Sequence, residues 1–274
     1  MILMSDAAQN LVVMSESAPE SPQPPAPPPA PSSLAARLVN VYATPGDVFE
    51  EVARSPRDNG NWVLPLILTA IMSVVFCFVV FSQENVMRNF HQTQEQAIRD
   101  QVKAGKVPAD KADDIVEAAR KWMSPTIMAA FGSVGSLIAT VGGVFFVALI
   151  LMLLGRYALN AEVEFMKMAE VSGLAAMIAL VGTVAKMFVV MATGRMELGV
   201  SPAALVEDFD PGNHTHALLG ILDLSMIWYV AVLSAGLARV CGKPWWRAAA
   251  WLYAIWLVFA AGMAAVAYLG ARAH

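Results

Sequence analysis

Apolar and polar positions divide this chain into long apolar runs, the first two without a charge, separated by polar connectors. The first run, Trp62 to Phe81, carries no charge, opens on a tryptophan and has Pro65 in its first turn. Four more follow at 126–154, 168–192, 217–240 and 245–269. Each is long enough as a helix to cross a hydrocarbon layer of ~30 Å at 1.5 Å per residue. The second is longer than a perpendicular crossing needs, which predicts a tilt or a turn left in the interface. Along it, Gly132, Gly135, Ser136, Gly142 and Gly143 offer small-residue faces that permit close helix packing. The pattern therefore predicts an all-α, polytopic transmembrane bundle of five spans.

The polar stretches predict different elements. Residues 84–103 are rich in helix formers, Gly105 is placed to end that helix, and Pro108 with Asp110 starts another that runs through Trp122. Residues 82–124 thus read as a helical hairpin between the first two spans. Its thin apolar stripe (Val86, Phe90, Ala97, Ile98, Val102) suits packing on itself, on the bundle or on a second copy. Residues 34–61 read as two short amphipathic helices. Leu34, Leu38 and Val41 share one face, and Thr44-Pro45-Gly46-Asp47 forms a helix start ahead of Val48, Phe49 and Val52. Their stripes call for the membrane interface or the flank of the bundle as a partner. Residues 1–33 are of another kind: eight prolines fall within 19–31, which predicts a disordered, solvated tail serving as spacer or linker. The first residues lack the basic start and long apolar core of a signal peptide, so insertion is expected to begin with the first span.

Composition agrees with this class. The chain is 57% hydrophobic and 15% charged, and its net charge of -4 gives no basic excess for nucleic acid. Cys77 and Cys241 lie in or beside apolar runs without a CxxC or histidine partner, and read as small hydrophobes. Basic residues set the expected orientation. Arg54, Arg57, Arg156, Lys167, Arg239, Lys243 and Arg247 flank one side of the spans, whereas the short segments of the other side hold only Arg195 and Arg272. This predicts a cytoplasmic N-terminus and an external C-terminus. The hairpin, with seven basic and seven acidic residues, is the exception on the outer side.

Few residues suggest chemistry. Lys186, near the end of the third span, and Asp223, near the start of the fourth, lie at matching depth in an antiparallel pair. They are expected either to pair structurally, fixing the register of the two helices, or to serve an ion or proton path. Glu170 is placed to meet Arg239 or Arg156 as a packing contact. Glu207, Asp208, Asp210, His214 and His216 supply metal-capable donors, but a Pro-Gly connector fixes no coordination geometry, so a solvated loop is the expected reading and no metal or other cofactor is implied. No P-loop, GxSxG or HExxH sequence is present, so no enzymatic activity is expected.

The segment Tyr42-Ala43-Thr44-Pro45-Gly46-Asp47-Val48-Phe49-Glu50-Glu51-Val52, followed by Trp62-Val63-Leu64-Pro65-Leu66 and five spans, resembles the bacterial branch of the Yip domain family, over about residues 38–269. That resemblance implies a multi-pass protein of the bacterial inner membrane with a cytosolic N-terminus, associating with itself or with relatives. The Asp-Leu-Tyr-Gly-Pro stretch of several eukaryotic members is not found in this sequence, so recruitment of a GTPase is not implied. Together these readings lead to a non-enzymatic, oligomerising scaffold or adaptor whose protein partner is unknown. A small transporter or channel using Lys186 and Asp223 is the alternative.

Overall fold

The computed structural model describes residues 32–207, 209–210 and 213–272; the expectations for the proline-rich tail up to residue 31 lie outside them. The described chain is helical, with ten α-helices and no strand among the described residues. Ser33 caps α1 (Leu34–Asn40) by accepting from the Ala36 N–H, and Pro45 opens α2 (Pro45–Arg54). The first span is α3 (Gly60–Phe81). Then come α4 (Glu84–Lys103) and α5 (Ala112–Trp122), with Gly105 between them at φ 69°. They are joined across by the Arg120–Glu95 ion pair. The second long helix, α6 (Pro125–Leu153), runs on through a π-helical turn, Leu154–Ala158. After α7 (Phe165–Thr193) come α8 (His214–Ile221), α9 (Leu224–Val240) and α10 (Trp245–Arg272).

Four of these helices are long and apolar enough to cross a membrane: α3, α6 with its π-turn, α7 and α10. A fifth is obtained only by counting α8 and α9 as one span bent by 40°. The continuous helix expected over 217–240 is thus broken at Leu222–Asp223. The reason is the aspartate itself, whose Oδ1 accepts from the Ser225 and Met226 N–H groups and so caps a new helix. Its Oδ2 accepts from the Val200 N–H, while the Leu224 N–H donates back to the Val200 carbonyl.

Side-chain contacts fix how the spans run. Gly132 of α6 faces Cys77 and Phe81 of α3, and the Ser136 hydroxyl donates to that of Ser73 at 3.3 Å, so α3 and α6 are antiparallel. Trp62 meets Gly173 at one end of α3 and Val80 packs with Val190 at the other, so α3 and α7 are parallel. Antiparallel α9 lies against α7, with Ser225 beside Gly182 and Gly236 beside Val171. Last, α10 packs on α9, where the Tyr253 hydroxyl donates to the Ile227 carbonyl at 2.9 Å.

The main core gathers at one end of this bundle, here the proximal end, where α3, α7 and α10 begin and α6 and α9 finish. There Met168 to Ile178 of α7 are all buried, as are Val232 to Ala238 of α9. Leu38, Val41, Val48, Phe49 and Val52 belong to the same core. The apolar stripes of α1 and α2 are therefore covered by the bundle's flank.

Candidate functional site

Two features stand out: a buried polar junction at the proximal end and an uncovered face on α6. The junction begins at Arg37 of α1, which is 7% exposed. Its guanidinium donates to Glu51 of α2 at 3.2 Å, to Asp58 at 3.0 Å and to the Asn61 side-chain carbonyl at 3.1 Å. The planar fork of an arginine suits three acceptors from three segments. Asn61, in the first turn of α3, passes the connection on: its amide donates to Glu170 of α7 at 2.8 Å. Glu170 is 1% exposed, a position a carboxylate tolerates only when paired.

Its partner is Lys167, one turn earlier on α7, with Nζ 2.9 Å from Glu170 Oε1. The same ammonium donates to the carbonyls of Val52, Ser55 and Pro56 at 3.0, 3.2 and 3.4 Å. Those carbonyls belong to the end of α2 and the turn after it, where a cation answers the negative end of the helix. Because the ammonium is aimed at backbone, Glu170 Oε1 has its charge balanced but no aligned hydrogen bond. One connected set of side chains therefore ties α1, α2, α3 and α7 together. It replaces the expected meeting of Glu170 with Arg239 or Arg156. Arg239 pairs with Glu50 at 3.0 Å, and Arg156 donates to the Val163 carbonyl at 3.0 Å. Lys167 wins by proximity, since positions three apart share a helix face.

Apolar contacts lock the same region. Phe49 lies against Gly236 of α9, and the Tyr42 hydroxyl donates to the Met177 carbonyl at 2.8 Å, where burial pushes its phenol above the ordinary range. Gly173 lets the α3 backbone approach: a methyl there would lie 2.6 Å from Trp62 Cβ and 2.8 Å from the Asn61 carbonyl. Pro65 has no N–H to give that carbonyl, so it is free to face α7.

Among the glycines singled out from sequence, only Gly132 packs inside the chain, 3.1 Å from a Phe81 ring carbon when a β-carbon is built on it. Ser136 does too, through Ser73 and through the Cys77 thiol at 3.9 Å. Gly135, Gly142 and Gly143 face open space. Gly135 and Gly142 fall in a row with Phe131, Ile138, Phe146 and Leu149, which are 71%, 69%, 63% and 40% exposed. Spacings of three and four place all six on one face, with large and small residues alternating from Phe131 to Phe146.

Lys186 and Asp223 are not brought together. No ion pair joins them among the described residues, and the Asp223 carboxylate is occupied by Val200, Ser225 and Met226. Of the loop donors, Asp208 and the side chain of His214 lie outside the described residues, and His216 Nδ1 accepts from the Asp210 N–H at 3.0 Å. Among the described residues no three histidine, cysteine, aspartate or glutamate side chains gather as a metal site.

Sequence reasoning missed Gly173, Gly182 and Gly236, where the helices in fact touch. It also missed the junction, although Lys167 and Glu170 at a spacing of three, beside the start of an apolar run, were a usable signal.

A bundle of this kind, with apolar helices of bilayer length and a buried polar junction at one end, is an integral membrane protein. The Yip1 domain model matches residues 39–266, and the chain belongs to that family. The match takes in α2, α4, α5 and every candidate span. No curated protein and no solved structure matches it.

Proposed function

We propose that this protein is a non-enzymatic membrane scaffold or adaptor that works as a homo-oligomer, with the open face of α6 as its contact surface. The observation that carries this reading is the row Phe131, Gly135, Ile138, Gly142, Phe146, Leu149, which at its glycines touches nothing else among the described residues. Within the chain, glycine stands where helices cross closely, at Gly173, Gly182 and Gly236. The same device on an outward face suits a second helix, because in lipid it is close packing, and not burial from water, that favours association.

The setting we assign is a bacterial inner membrane with the proximal end and the N-terminus in the cytoplasm. The proximal connectors carry Arg54, Arg57, Arg156, Lys167, Arg239 and Lys243, the distribution that basic residues show on the cytoplasmic side. On this reading the polar junction holds α1 and α2 against the bundle.

The test is disulfide trapping in native membranes of full-length protein with Cys77 and Cys241 replaced by alanine. Ile138→Cys is expected to give a dimer on mild oxidation, lost when Gly135→Leu and Gly142→Leu are added. Failure of Ile138→Cys to trap a dimer would overturn the assignment of this face.

A transporter or channel is the competing reading, and the break at Leu222–Asp223 favours it, since interrupted helices line many transport sites. Replacing Lys186 and Asp223 by methionine and asparagine separates the two: a scaffold still assembles, whereas a transporter loses flux.

A further inference from the structure

The second helix of the extramembrane hairpin, α5, has no buried residue. Its apolar positions form one broad face divided in two by what covers them. Ala112, Val116 and Ala119 are half-buried, on the side where α4 packs and Arg120 reaches Glu95. Ile115, Ala118 and Trp122 are exposed, Ile115 at 39% and Trp122 at 69%. At spacings of three and four these form a continuous stripe along the whole helix. Asp113, Asp114, Glu117 and Lys121 occupy the arc away from it.

The position of this stripe matters as much as its composition. Only Met123 and Ser124 separate Trp122 from α6, and the uncharged run starts at Thr126. Two linking residues span less than about 10 Å, so the end of α5 cannot leave the rim of the membrane. A helix of 11 residues is about 16 Å long, short enough to lie along that rim without losing its contact with α4. Tryptophan next to lysine and arginine is the combination that a bilayer's headgroup region accepts: the indole takes the apolar side while the cations reach toward phosphates.

We propose that α5 lies on the bilayer, with Ile115, Ala118 and Trp122 set into the interface of the leaflet from which α6 enters. The hairpin then rests against the membrane instead of projecting from it. Lys121, beside Trp122, reaches the headgroups. The acids of the other arc face water. This inference is independent of self-association, since it needs only one copy and a bilayer.

Nitroxide scanning of the full-length chain in discs of phosphatidylcholine and phosphatidylglycerol tests it. With Cys77 and Cys241 replaced by alanine, single labels are placed through Ile115→Cys, Ala118→Cys and Trp122→Cys, and for comparison through Asp113→Cys, Glu117→Cys and Lys121→Cys. All six positions are exposed, so folding is not at stake. Oxygen, which concentrates in lipid, is expected to relax the first three labels more than a water-soluble nickel chelate does, with the reverse at the other three. Equal accessibility of the two sets would overturn the proposal. So would protection at 115, 118 and 122 that disappears on dilution with unlabelled protein, because the occupant would then be a second copy.

Discussion

The two halves of α7 show how differently one helix can be used. Its proximal half, Met168 to Ile178, is buried without a break and carries Glu170 in the polar junction; in its distal half only Val190 is buried. The proximal half is built as water-soluble proteins are, with a dense core, a paired buried charge and helices clasped by side-chain hydrogen bonds. The distal half keeps apolar side chains outward, as a surface that meets hydrocarbon must. The difference teaches that hydrophobicity marks both halves alike, while polar pairing and glycine contact separate core from lipid surface.

That contrast can be broken most strongly at Glu170. Glu170→Ala strands Lys167 and the Asn61 amide in a buried site and is expected to cost about 3–5 kcal/mol, measured by denaturant unfolding in mild detergent. A loss no larger than that of a surface change would mean that the junction does not hold the N-terminal helices. Next comes steric room. Gly173→Val forces α3 away from α7, with an expected loss of about 1–3 kcal/mol, whereas Gly142→Val, facing open space, leaves the fold of the single chain unchanged. Equal effects would erase the distinction between inner and outer glycines.

At the helix break the expected effect is smaller. Asp223→Ala removes the cap of α9 and its link to Val200, for a loss of about 0.5–2 kcal/mol, while Asp223→Asn retains most of it. A large loss for Asn would point to charge instead of capping. The smallest effect concerns Cys241, which burial beside the proximal core pushes up to about 11. With its thiolate scarce below that pH, the folded protein should be alkylated slowly at pH 8, and the rate should rise as pH climbs toward 11. An unfolded chain, with a thiol near the ordinary value, should react quickly at pH 8.

Much of this architecture was legible in the sequence. Apolar runs of bilayer length marked α3, α6, α7 and α10, and helix formers ending at Gly105 marked α4. The break inside 217–240 was not legible, because leucines flank Asp223 on both sides and the apolar run continues across it; the cap on Ser225 and Met226 and the link to Val200 show only in the fold. Nor could periodicity tell which glycines of α6 meet α3, since every face of that helix is apolar. The docking of α2 was half visible: its stripe was plain, but the surface covering it, α9 with Gly236 opposite Phe49, is nearly two hundred residues away in the chain.

The most direct test of the oligomeric scaffold is the mass of the full-length protein in native lipid discs, taken beside the Gly135→Leu, Gly142→Leu double variant. A defined multimer for the native chain that falls to a folded single copy in the variant is the predicted result. A native chain that is already a single copy, with nothing bound to it, would contradict the account.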